Sequence, residues 1–241
     1  IALVLPLEGV GAHLMDHPLA SVTCIAKPGV AKPDEPMVQV LLRYTSDGGE
    51  FNDMQVYMLG HMDLSADPSF VAAAGGETAF AIGPGVQLPK SIGSVTLHST
   101  DPNEAPKIVL NFVDNEKDLR RLREGVRLAW DIAISEPVNA FHRGVYGLDA
   151  ETVADDAKLD DYIRRVATNM AHPVCTCRMG PASDPGAVVD EQGRVHGAES
   201  LRVVDGSIMP TIIRANTNLT CIMIGERIAD WMRADWMRNE D

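Results

Sequence analysis

Between residues 20 and 100 apolar residues fall in short, roughly alternating runs, and near residue 114 their spacing changes to three and four. That switch constrains the fold more than any other feature. Alternation puts every second side chain on one face of a strand, whereas a repeat near 3.6 lines one side of a helix. The runs MVQVLLRY (37–44), DMQVYML (53–59) and GSVTLHS (93–99) are separated by Gly, Asp and Pro clusters such as SDGGE and IGPG, which predicts an antiparallel sheet. Leu119, Leu122, Val126, Ala129 and Ala133 then mark an amphipathic helix over 115–134, capped by Asp114 or Asn115 and packed on that sheet. Leu159, Tyr162, Ile163 and Val166 mark a shorter helix over 157–167. IALVL (1–5), ended by Pro6, and LRVVD (201–205), broken at Gly206, read as buried strands. LTCIMIGERIADWM reads as an apolar helix capped by Thr217 or Asn218. The predicted fold class is mixed α/β, of the α+β kind.

Charge narrows the function classes. A formal charge of −13 over 241 residues argues against nucleic acid or an anionic membrane as partner, since both attract Lys and Arg. No apolar run reaches the eighteen or so residues of a spanning helix. Four cysteines, scattered except for one C-x-C, do not form a disulfide framework, so a reducing, cytoplasmic location is expected. The chain opens on Ile1, and a processed or partial piece of a longer protein is expected. GVGAHL (9–14) begins like a dinucleotide fingerprint but has Leu14 where the third glycine belongs, so it is read as a glycine turn.

HPVCTCRMG (172–180) concentrates the reactive side chains. His172, Cys175 and Cys177 are too few and too tightly spaced for a structural zinc site, and no metal is expected. Spacing alone leaves two readings open: a packed histidine among small buried cysteines, or a histidine that moves a proton.

Three ordered stretches, LEGVGAHLMDHP, HPVCTCRMG and LRVVDGSIMPTIIRANTNLTCIMIGERIADWM, resemble the glucose-methanol-choline (GMC) family of flavin oxidoreductases. The family forms are close to PGVGxNLxDHP, HPxGTCRMG and LRVVDASIMPxxxxxNTNxxxxMIxEKxAD. SIGSVTLHSTDPNEAPKIVLNF is similar to a fourth family pattern, and the resemblance covers the second half of the family's sequence. It implies the C-terminal half of a two-domain fold. Residues 1–18 would be a returning segment of the FAD-binding domain, 19–165 an antiparallel-sheet substrate domain with flanking helices, and 166–241 the C-terminal part of a Rossmann-like FAD-binding domain.

The resemblance implies a catalytic pair, His172 and Asn216, facing the flavin of an FAD-dependent alcohol oxidase or dehydrogenase. An alcohol becomes a hydride donor as its hydroxyl proton leaves, so a base must reach the oxygen while hydride passes to flavin N5. His172 is the implied base, and Asn216 would hold the oxygen. Thr217 and Asn218, at a helix start, would meet the negative N1 and C2 carbonyl edge of reduced flavin, while Asp205 and Gly206 would contact its ribityl or phosphate part. Ala171 replaces the family's usual aromatic, which implies room for a bulkier alcohol. Cys175 replaces the usual glycine, so the backbone there is expected to tolerate a side chain, and His13 replaces an asparagine without an assignable role. His17, His61, His98, His142 and His196 are expected to be surface or structural.

The phosphate-cradling G-x-G-x-x-G of the family is missing from this sequence. A second polypeptide carrying that N-terminal half is therefore the expected partner, and FAD is the expected cofactor. A hydroxynitrile lyase on the same scaffold, or a remnant without enzymatic activity, are the competing readings.

Overall fold

The structure is a computed structural model that describes residues 3–75 and 78–238. In chain order its elements are β1 (Pro18–Leu19), β2 (Val22–Ala26), β3 (Val38–Tyr44), β4 (Met54–Asp63), α1 (Pro68–Ala74), β5 (Thr78–Val86), β6 (Ser94–Thr96) and β7 (Lys107–Val109). They continue as α2 (Glu116–Ile134), α3 (Glu136–Asn139), β8 (His142–Tyr146), α4 (Ala150–Ala154), α5 (Asp156–Val166), β9 (Thr168–Asn169), a 3₁₀ turn at Gly206–Ile208 and α6 (Asn218–Arg238). Two units emerge, one of residues 1–17, 91–112 and 171–241, the other of residues 18–90 and 113–170.

The second unit holds the predicted antiparallel sheet, but the GSVTLHS run is not part of it and supplies β6 of the separate β6–β7 hairpin. Its strands run β3-β4-β5-β1-β9, with β2 on β5 and β8 on β2, all antiparallel. β5 lies at the centre because it is long enough to serve two partners: Ala79 to Ile82 pair with β2, and Gly85 with Leu19 of β1. α2 forms as its 3–4 spacing requires. Asn115 accepts from the Lys117 N–H at 3.0 Å, and Leu119, Leu122, Val126, Ala129 and Ala133 are fully buried against Val22, Met54 and Ile82 of the sheet. A Cβ at Gly125 would meet Pro84 Cβ at 2.7 Å, so a glycine there lets the helix approach the sheet.

A buried charge cluster ties α2 to the strand ends. Arg121 Nε lies 3.1 Å from Asp53 Oδ2, and its Nη1 lies 3.7 Å from Asp118 Oδ1 while donating to the Leu88 carbonyl at 2.9 Å. Asp53 also accepts from the Ser46 N–H and hydroxyl, and Asp118 from the Lys90 N–H. Both carboxylates are fully buried.

The first unit is loop-rich, with a core of Met15, Val174, Cys175, Val188, Val189, Val195, Ile208, Met209, Ile212, Ile224 and Ile228. The β6–β7 hairpin belongs here although it lies within the 19–165 span of the sequence reading, because Leu14 pairs with Gly93 and the Val95 N–H donates to the Gly11 carbonyl. Gly9 and Gly11 form a turn. A Cβ on Gly11, at φ +74, would stand 2.1 Å from the Val95 oxygen, and one on Gly9 would stand 2.4 Å from that of Gly186.

Two predicted strands are corrected. Ile1 and Ala2 lie outside the described residues, and Leu3 to Leu5 form no ladder, with Leu3 78% and Val4 94% exposed. LRVVD is an irregular stretch with a single bridge, Arg202 to Arg194, and Leu201 is 53% exposed. Apolar runs specify strands only when another backbone edge is available, and here the 193–195 turn offers bonds at separate points, from Val203 N–H to Gly193 O and from Val195 N–H to Leu201 O. Among the described residues no helix is long and apolar enough to cross a membrane.

Candidate active site

His172 is held between two backbone segments of the first unit. On one side Met15 and Val174 exchange N–H···O bonds of 3.1 and 2.9 Å, which sets the Asp16-His17 dipeptide beside His172. On the other, the N–H groups of Cys175, Cys177 and Met179 donate in turn to the carbonyls of Gly206, Ser207 and Ile208. The Asp205 carboxylate stabilises that turn by accepting from the Ser207 N–H at 2.8 Å. One oxygen of Asp16 then accepts from both the His17 N–H (2.7 Å) and the His172 N–H (3.1 Å), pinning the backbone at the histidine itself.

The two side chains of the implied pair come together. His172 Nε2 lies 3.3 Å from Asn216 Nδ2, across 44 residues of sequence. His172 Nδ1 lies 2.9 Å from Nδ1 of His17, whose Nε2 is 2.9 Å from the Ile213 carbonyl. The imidazoles meet edge to face, at 5.1 Å and 83°. His172 is 9% exposed and Asn216 is exposed, so the Nε2 edge of the histidine opens towards an accessible amide. Burial pushes the His172 pKa below its ordinary value, which keeps the ring neutral and able to accept a proton near neutral pH.

The remaining predicted positions surround this pair in different ways. Ala171 is exposed at φ +58, in the left-handed region. The Thr217 carbonyl accepts from the Cys221 N–H at 2.9 Å, so Thr217 occupies the cap position of α6 and Asn218 is the first helical residue. Thr217 is buried and Asn218 exposed. The first-turn N–H groups of α6 have no acceptor within the helix, as at any helix start. Gly206 is buried, and a Cβ there would meet Cys221 Sγ at 3.0 Å and Val174 Cγ1 at 3.2 Å.

Cys175 explains its own irregularity. The residue has φ +73, a conformation that disfavours any side chain, so a glycine is what its backbone asks for. Its fully buried thiol is pushed up to about 12 by burial, and the Cys177 thiol is raised as well, so both stay protonated and are poor metal ligands. Among the described residues no three His, Cys, Asp or Glu side chains converge as a metal site. Left-handed φ costs a side chain about 1–2 kcal/mol, which glycine would relieve while losing buried packing and adding chain entropy of similar size. Cys175→Gly is therefore expected to stay within about 1 kcal/mol of the parent, and β-branched Cys175→Val to lose about 2 kcal/mol or more, as read by denaturant midpoints.

His17 and Asp16 were not singled out by the sequence reading, which placed His17 among surface or structural histidines. His17 is fully buried and touches His172 directly. The available signal was the repeated His-Pro dipeptide, at 17–18 and again at 172–173.

Comparison with known proteins adds to this geometry. Residues 89–225, more than half of the chain, match the family model described as GMC oxidoreductase. The chain is 47% identical over 143 residues, 59% of its length, to an oxygen-dependent choline dehydrogenase of Pseudomonas aeruginosa, of which the match covers 25%. It is 38% identical over 189 residues, 78% of its length, to oxygen-dependent choline dehydrogenase 1 of Chromohalobacter salexigens, covering 33% of that protein. The chain thus spans about a quarter to a third of the curated relatives it matches. Among solved structures, a pyridoxine 4-oxidase from Mesorbium loti superposes with a TM-score of 0.81 at 22% identity, over 97% of this chain and 45% of that one. An Aspergillus oryzae formate oxidase superposes with a TM-score of 0.82 at 21% identity, over 98% and 49%. At these identities the likeness shows the fold.

Proposed function

The chain belongs to the GMC oxidoreductase family, and on that premise we propose that it is the base-bearing part of an FAD-dependent enzyme that oxidises an alcohol to an aldehyde or ketone. The observation that carries this reading is the 3.3 Å approach of His172 Nε2 to the Asn216 amide at an accessible edge. His172 takes the hydroxyl proton at Nε2, and the Asn216 N–H donates to the substrate oxygen and cannot compete for that proton. Bound FAD would supply the acceptor for the hydride leaving the alcohol carbon.

The residues present fit that cofactor's chemistry. The open helix start at Thr217 and Asn218 offers N–H donors and a positive dipole end to an anionic ring edge. Asp205 and Gly206 would meet the ribityl or phosphate part through their backbone, and the methyl of Ala171 leaves space on the substrate side. Residues 19–165 would serve substrate binding, and 1–18 with 166–241 the cofactor domain. The dinucleotide fingerprint of the family is not among residues 1–241.

The test uses the complete flavoprotein. Anaerobic addition of small alcohols is expected to bleach the oxidised flavin band. Release of cyanide from a hydroxynitrile with the flavin unbleached would establish the lyase instead. No response to either would leave a remnant that binds without reacting.

A further inference from the structure

The contacts of His17 determine which nitrogen of His172 carries a proton. A neutral imidazole has one N–H donor and one bare acceptor. The Ile213 carbonyl can only accept, so His17 Nε2, 2.9 Å away, carries its hydrogen and His17 Nδ1 is bare. The two Nδ1 atoms are 2.9 Å apart and only one proton fits between them, so it resides on His172 Nδ1. His172 Nε2 is then bare, and it faces the Asn216 amide, a donor. The hydrogen bonds form one directed chain from Asn216 through His172 and His17 to Ile213.

We infer that His17 is a positioning residue that locks His172 in the tautomer with a bare Nε2, the form able to take the substrate proton. This rests on the reading of His172 as the base. The opposite arrangement needs His17 doubly protonated, a cation in a fully buried site, where burial penalises charge. Asp16, the adjacent carboxylate, has one oxygen accepting from two backbone N–H groups. His17 also sets the pair's separation. Through Ile213 it grips the loop that carries Asn216, and through Nδ1 it grips the ring of His172, so one side chain spans both segments. When His172 accepts the hydroxyl proton at Nε2, its Nδ1–H stays in place and donates to His17, which supports the imidazolium without itself changing protonation.

The test is ring-¹⁵N NMR on the complete holoenzyme labelled at its histidines, with His172→Ala used for assignment. The parent is expected to show His172 Nδ1 protonated and Nε2 bare. In His17→Gln the amide reaches Ile213 but offers His172 no acceptor. The Nε2–H tautomer should grow, and flavin reduction at saturating alcohol should fall by about tenfold or more, as expected when a base sits in the wrong tautomer, with KM little changed. His17→Asn, whose carbonyl lies near the Nδ1 end, should restore the parent tautomer and most of the rate. A protonated Nε2 in the parent would overturn the inference, as would equal losses in both variants. The NMR arm decides the tautomer even if no alcohol reduces the flavin, an outcome that would count against the proposed function alone. It also stands if His17→Gln fails to fold.

Discussion

Replacing His172 with alanine is expected to slow anaerobic flavin reduction by about 10²–10⁴-fold in the complete enzyme, the range typical for removing a general base. The expectation follows from the chemistry of the two side chains beside His172. Asn216 has no basic nitrogen, and His17 directs its Nε2 to the Ile213 carbonyl and its Nδ1 to the ring that the substitution removes. Flavin content should persist, because the backbone ladder from Cys175, Cys177 and Met179 and the Asp16 bond to the residue 172 N–H do not depend on the imidazole. Stopped-flow absorbance at saturating alcohol reads the rate, and added imidazole, a small diffusible base, should recover part of it. A rate within a fewfold of the parent would remove His172 from the chemistry.

Arg121→Ala is the largest expected effect on stability, a loss of about 3–5 kcal/mol. The guanidinium neutralises two fully buried carboxylates, and its removal strands Asp53 and Asp118 as like charges in a site closed to water. Ser46 donates to one and the Lys90 N–H to the other, and these hydrogen bonds supply no charge. Replacing all three, as Arg121→Met with Asp53→Asn and Asp118→Asn, should destabilise less than Arg121→Ala alone, because no buried charge is left uncompensated. Urea denaturation of the enzyme distinguishes the cases. A single-variant loss below about 1 kcal/mol would mean that water reaches these carboxylates, as at a surface ion pair.

The parts of the fold that were legible in the sequence are those where a local period and a global partner agree. α2 announces itself by 3–4 spacing because it buries a single face, whereas β3 is exposed along most of its length and Met54–Tyr57 of β4 are buried on both faces, so those strands follow from their β-rich runs and bounding turns. LRVVD misleads because its apolar character is satisfied by packing of Val203 and Val204 onto the first unit's core, with only one bridge of ladder. The ordered motifs singled out His172 and Asn216 as the candidate site, and these two side chains lie 3.3 Å apart. His17 stayed hidden because its importance lies in two contacts, to residues 155 and 196 positions away, which its His-Pro dipeptide alone does not encode. Cys175 is the converse: its substitution for glycine was visible, while the positive φ that makes it unusual is a property of the backbone alone.

The proposed role of neutral His172 is to take the alcohol's proton. It is tested most directly by the rate of anaerobic flavin reduction, at saturating alcohol, as a function of pH. Burial holds the His172 pKa below the usual histidine value, so the neutral fraction rises with pH on the acid side and predominates at neutrality. The predicted profile climbs with pH on the acid side with the slope of one ionisation and reaches its plateau at lower pH than an ordinary histidine would. A rate that falls as pH rises through that range, or a flavin that stays oxidised at every pH, would contradict it.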